Sequence, residues 1–210
     1  MKCAPLLIAL MATTTFSPTT MAQMASATIV QAGSHNRVAV DQTRAAASSI
    51  LIEQAGSSNL ISVTQAGSHN AIAARQTGDQ GDGTLRQRGT GNRLIQSDSG
   101  RGDSFAVDQS GNFGLLHLEQ SGSDNSATLF QTGFNQSATL VQQGSGNAAH
   151  LAQDGQDNTA LVNQRGTGNL SDITQTGGAN SITHNQNGND LRLTLIQTGA
   201  QAIVITQTGP

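Results

Sequence analysis

"QSGSDNSATLFQTGFNQSATLVQ" (residues 120–142) states nearly the same phrase twice. Gln120, Gln131 and Gln142 stand eleven residues apart, and Gly122, Gly133 and Gly144 each follow two places later. Walked outward, the anchors run Gln31, Gln42, Gln54, Gln65, Gln76, Gln87, Asp98, Gln109, Gln120, Gln131, Gln142, Gln153, Gln164, Gln175, Gln186, Gln197 and Gln207. All but two of the intervals are eleven residues; Gln42 to Gln54 is twelve and Gln197 to Gln207 is ten, so the phase is restored by the end. A glycine stands two places after every anchor except Gln42, where Arg44 stands. Such self-similarity is the mark of a repeat architecture, in which each unit needs its neighbours to bury its apolar face.

The unit reads Gln-x-Gly-x-x-Asn-x-φ-x-φ-x-Gln, with φ an apolar residue. Asn, both φ positions and the next Gln share one parity, so in a strand they point to one face. A helix is excluded by apolar pairs two apart and a recurring glycine, although eleven residues would suit helical geometry. Each unit is expected to be a strand of about five or six residues, followed by a tight arc on Gln-x-Gly-x-x-Asn. Two units then make a coil of 22 residues with strands on opposite walls. The expected fold is all-β, a parallel solenoid of about eight coils, rising roughly 40 Å at the usual strand spacing.

The inward amides set a condition. A buried amide without a partner costs on the order of 1–3 kcal/mol. Stacked in register, each Gln sits beneath another and the penalty vanishes, as in cross-β ladders. The expected inward set is Gln31, Asn36, Gln54, Asn59, Gln65, Asn70, Gln120, Asn125, Gln131, Gln142, Asn147, Gln153, Asn158, Gln164, Asn169, Gln175, Asn180, Gln186, Gln197 and Gln207. Ala127, Ala138, Ala149 and Ala160 form a small apolar layer beside Leu129, Leu140, Leu151 and Val162.

The composition fits neither a disordered chain nor an ordinary globular domain: 11% charged residues, no Trp or Tyr, and a net charge of −3 without a basic run. Nothing points to nucleic acid. Lys2, the apolar run "APLLIALMA" and small residues at Thr20 and Ala22 form a secretory signal expected to be cleaved after Ala22. The expected organisation is a signal over 1–22, a short lead over 23–26 and the repeat solenoid over 27–210. Cys3, the single cysteine, would leave with the signal, so no disulfide staples the exported chain.

The first repeat opens with "ATIVQ" at Ala27 and the last reads "AIVITQTGP". Soluble repeat proteins cap such ends. Here neither carries a helix or a charged cap, so Ala27, Ile29, Ile203 and Ile205 are expected to form polymerisation ends.

The unit resembles the curlin repeat of bacterial curli; "QSGSDNSATLFQ" and "QDGQDNTALVNQ" (153–164) follow its pattern of Gln, Gly, Asn, small apolar and Gln. The resemblance runs over residues 27–209. It implies an extracellular functional-amyloid subunit that polymerises with itself, supports adhesion and biofilm matrix, and passes through a curli-type outer-membrane secretion pore. It also implies a curlin co-subunit or nucleator and periplasmic chaperones as partners. A main subunit and a nucleator both fit. Little room lies between Gln23 and Ala27 for the segment that addresses major subunits to the pore, the repeats outnumber the familiar five, and tyrosine is absent.

The units from Gln76 to Gln120 are degenerate. Gly81 and Gly114 stand in Asn places and Gly83 in an apolar one, while Asp98 and Asp103 take inward Gln and Asn places. Two readings stand: gatekeepers that slow premature assembly, or drift in a tolerant repeat. The Arg-Gly-Asp at Arg101–Asp103 reads as a chance match with Asp103 facing inward. Asp79 and Asp82 lack the ligand spacing of a calcium loop. The five histidines do not converge on a metal site, and no nucleophile–base set assembles. Catalytic, cofactor and metal residues are therefore none. The competing function is a self-contained secreted β-solenoid adhesin or surface-binding rod, which would be expected to show caps.

Overall fold

The computed structural model describes residues 25–209. Seventeen strands follow one another. The first nine are β1 (Ser26–Ser34), β2 (Arg37–Ala46), β3 (Ser49–Ser57), β4 (Leu60–Ser68), β5 (Ala71–Asp79), β6 (Asp82–Thr90), β7 (Arg93–Asp98), β8 (Ser104–Asn112) and β9 (Leu115–Ser123). The rest are β10 (Ser126–Phe134), β11 (Ser137–Ser145), β12 (Ala148–Gln156), β13 (Thr159–Thr167), β14 (Leu170–Gly178), β15 (Ser181–Asn187), β16 (Arg192–Thr198) and β17 (Ala202–Thr208). Odd-numbered strands form a nine-stranded parallel sheet, wall A, and even-numbered strands an eight-stranded one, wall B. Chain neighbours thus lie on opposite walls, and sheet neighbours in the interior of the rod are 22 residues apart, as Ala127↔Ala149 and Gln131↔Gln153 show. The fold is an all-β solenoid of about eight coils. The expected signal and Cys3 lie outside the described residues.

Most strands run nine residues, longer than the unit predicts. The reason is that pairing continues through the glycine: Gly122 has φ +118 and pairs in register with Gly144, so the chain turns without leaving the ladder. Only two residues then remain outside the strand, the first usually left-handed, such as Asp124 at φ +56. β7 is the shortest at six residues, ending at Asp98 where the repeat loses its Gln.

The twelve-residue interval is a β-bulge. Register shifts between Asp41 and Arg44, so Gln42 and Thr43 together oppose Gln65, and Ala45 rather than Arg44 comes to stand opposite Gly67. A bulge adds one residue on one strand and leaves the pairing beyond it intact.

The core is a double apolar column between the walls. Leu129, Leu140, Leu151 and Val162 are buried, as are Ala127, Ala138, Ala149 and Ala160. Gly83 is no hole in it. A Cβ there would stand 2.0 Å from Cζ of Phe105, whose buried ring comes from the next coil of the same wall and fills the place of the missing side chain.

Candidate functional site

Stacked amides line the interior. In wall A, Gln31 Nε2 donates to Gln54 Oε1 (2.7 Å) and Gln54 to Gln76 (2.8 Å). Beyond Asp98 the row resumes, with Gln120 to Gln142 (3.0 Å), Gln142 to Gln164 (2.8 Å), Gln164 to Gln186 (2.9 Å) and Gln186 to Gln207 (2.9 Å). In wall B the row is unbroken from Gln42 through Gln65, Gln87, Gln109, Gln131, Gln153 and Gln175 to Gln197. The second hydrogen of many of these amides reaches a backbone carbonyl of the opposite wall, as Gln65 Nε2 reaches Ser49 O and Gln142 Nε2 reaches Ser126 O. That second bond fixes which end of the amide is nitrogen.

The asparagines hold the arcs. Asn70 Nδ2 donates to Ala66 O in its own arc and to Gly89 O in the next coil, while Asn92 N donates to Asn70 Oδ1. Asn36, Asn59, Asn125, Asn147 and Asn169 make the corresponding Nδ2 pair on the opposite edge of the rod. Asn158 does the same, and Asn180 Nδ2 donates to Thr176 O and to Asn158 Oδ1. The Nδ2 group of each of these asparagines thus meets the accounting that low-dielectric interiors impose.

Asp98 interrupts this order. It is buried between Gln76 and Gln120 in wall A, too short to span the step, and its Oδ1 turns back to accept Gly100 N at 2.9 Å. Gln76 Nε2 and Gln120 Oε1, the two atoms facing it along the ladder, find no partner among the described residues. Gln96, two residues earlier and inside an apolar place, leaves both Nε2 and Oε1 unpartnered, and so does Asp103 at Oδ2. Asp103 is fully buried and accepts from Asn125 N at 2.8 Å, so its Arg-Gly-Asp is closed to any receptor. Burial pushes the Asp98 carboxyl up to about 7; the Gly100 N–H opposes this, and the Asp103 carboxylate adds to it.

A second polar cluster escaped the sequence reading. His184 replaces an apolar inward residue and is buried; Ser171 Oγ lies 3.0 Å from its Nδ1, and Gln207 Oε1 lies 3.2 Å from its Nε2. Its signal was present in the repeat phase, because residue 184 falls nine places after Gln175, where an apolar side chain belongs. Burial lowers the His184 pKa, against the opposing hydrogen bond that its ring makes to Gln207 Oε1. A folded pKa below the unfolded value means stability present at neutral pH and lost as pH falls below about 6.5. Acidification from pH 7 to pH 5 is therefore expected to lower the amide-exchange protection factors at residues 181–187, and His184→Leu to abolish that response.

Among the described residues no group of three metal-ligating side chains gathers, and no helix is long and apolar enough to cross a membrane.

A family model for the curlin associated repeat matches residues 122–155, 135–166 and 155–183. Residues 122–183 carry curlin repeats. In the matched stretch Gln-x-Gly recurs without exception, and the apolar pairs are broken at Ser171. The repeat units on either side, from Gln31 and through Gln207, continue both walls. No curated protein matches the chain. Curlin repeats on a β-solenoid support a curli-type, amyloid-like structural protein rather than an enzyme.

Proposed function

We propose that the protein is a subunit of extracellular curli-like fibres, growing by end-to-end stacking of its coils and serving surface adhesion and biofilm matrix. One observation carries this reading. Among the described residues, β1, β2, β16 and β17 each pair on one side only. Ala27, Ile29, Ile203 and Ile205 there remain half-buried, while their equivalents in interior coils are covered. β1 and β17 carry no charged residue, while β2 carries Arg37, Asp41 and Arg44 and β16 carries Arg192; an unpaired strand edge with an apolar inner face is a template for another chain. The inward Gln and Asn rows set the register of addition, and Asp98 and Asp103 act as gatekeepers that slow it. A nucleator or co-subunit, an outer-membrane pore and periplasmic chaperones complete the proposed pathway.

Dilution from denaturant tests the reading, with fibre growth followed by dye and electron microscopy. The expected result is unbranched fibres after a lag that preformed seeds erase. A soluble, strand-rich monomer unresponsive to seeds would contradict it and favour a self-contained rod.

A further inference from the structure

The two walls are unequal. Wall A holds nine strands and wall B eight, so the described stack ends on half a coil: β17 has no counterpart across from it below β16. Resting on the end-to-end reading above, we propose that successive copies stack head to tail with each turned half a revolution about the rod axis. β1 of the next copy then lies beneath β16 in wall B, and its β2 beneath β17 in wall A.

Two features of the ladder lead there. The first is its polarity. In every glutamine link the earlier residue donates through Nε2 to Oε1 of the later one, from Gln31→Gln54 and Gln42→Gln65 down to Gln175→Gln197 and Gln186→Gln207. One end therefore presents acceptors: Gln42 Oε1 is buried and unpartnered, and no described residue donates to Gln31 Oε1. The other presents donors. Gln207 Nε2 donates only to Arg192 O, and Gln197 Nε2, having no further glutamine below it, takes Ser181 O and a long 3.3 Å contact to Gln201 O. Donor end meets acceptor end; two like ends would set acceptor against acceptor or donor against donor.

The second feature is strand parity. Without rotation, β17 would meet β1 in wall A, while β16 and the next copy's β2 would be left two strand spacings apart, about 9.6 Å. That leaves an empty strand position, two unpaired backbone edges and Leu193 and Leu195 uncovered across the gap. With a half revolution every position fills. Gln197 reaches Gln31 of the next copy and Gln207 reaches its Gln42; Leu193 and Leu195 cover Ala27 and Ile29, and Ile203 and Ile205 cover Val38 and Val40. The junction then repeats the interior of each molecule, and such a non-closing head-to-tail contact generates a filament.

Cysteine pairs on the outward faces read the arrangement directly. The background is Cys3→Ser, and the positions Thr28, Ala39, Thr194 and Val204 are all exposed. Within one molecule Thr28 and Thr194 stand on opposite walls at opposite ends, as do Ala39 and Val204, so any bridge joins two copies. Strand neighbours at about 4.8 Å are within disulfide reach, whereas facing walls about 10 Å apart are not. Fibres are grown reduced, oxidised and dissolved in non-reducing denaturant. T28C/T194C and A39C/V204C are each expected to yield covalent multimers, and T28C/V204C monomer. Multimers from T28C/V204C alone would overturn the half revolution while leaving end-to-end growth standing. Fibres without any multimers would overturn the junction register. Failure of the Cys3→Ser parent itself to form seedable fibres would remove the end-to-end reading and this inference together.

Discussion

Gly144→Ala is expected to destroy the folded stack, whereas Gly146→Ala, two residues away in the same arc, leaves it standing. A Cβ on Gly144 would lie 2.0 Å from Gly166 O at φ +121, while one on Gly146 meets nothing within 4 Å at φ +63. The first overlap is with backbone of a coil held in register on both sides, so relief requires the coils to part. The backbone strain alone costs about 1–3 kcal/mol. With the clash added, a loss above about 4 kcal/mol is expected, near the whole stability of many domains. At Gly146 an alanine bears only the left-handed penalty, about 1–2 kcal/mol. Denaturant unfolding followed by circular dichroism measures both. Equal effects would mean that the glycine column does not pack as closely as described.

Asp98→Gln is expected to work in the opposite direction, stabilising the rod and speeding its assembly. The carboxyl is pushed up to about 7, so the folded chain holds a proton that the unfolded chain releases. Stability from this group is therefore full below about pH 4 and lost as pH rises toward 7, on the order of 4 kcal/mol for a shift of that size. Glutamine removes the charge and supplies the two atoms that Gln76 Nε2 and Gln120 Oε1 lack. Asp98→Asn removes the charge but is too short to close the ladder. At pH 8 both variants should exceed the parent in stability, with Asp98→Gln higher by about a further 1–3 kcal/mol for two satisfied buried groups. Both should lose the parent's decline between pH 4 and pH 7. Unfolding curves across that range, with the lag of fibre growth beside them, check this. A lag lengthened by Asp98→Gln would count against the gatekeeper proposal.

Period and parity made the two walls legible, because an eleven-residue unit with Gln, Asn and both apolar places in phase allows only one side chain arrangement in a strand. What stayed hidden depends on columns rather than units. Gly83 reads as a weakened core place until Phe105, 22 residues on, is set beneath it. Gln96 and His184 are visible as polar residues in apolar places, but their fates differ: Gln96 finds no partner, and His184 finds Ser171 across the core and Gln207 below. Strand length was underestimated because a glycine ordinarily ends a strand, whereas here identical glycines stack and the ladder runs through them. The bulge at Gln42 shows in sequence only as one extra residue; which residue then stands opposite Gly67 is decided by pairing with β4.

Electron cryomicroscopy of unmodified fibres tests the central claim most directly. The account predicts a narrow two-walled rod whose coils of 22 residues follow one another at about 4.8 Å, continuous across each junction between copies. Fibres in which each chain lies flat as a single layer, with many copies stacked face to face so that every residue repeats on itself, would contradict it.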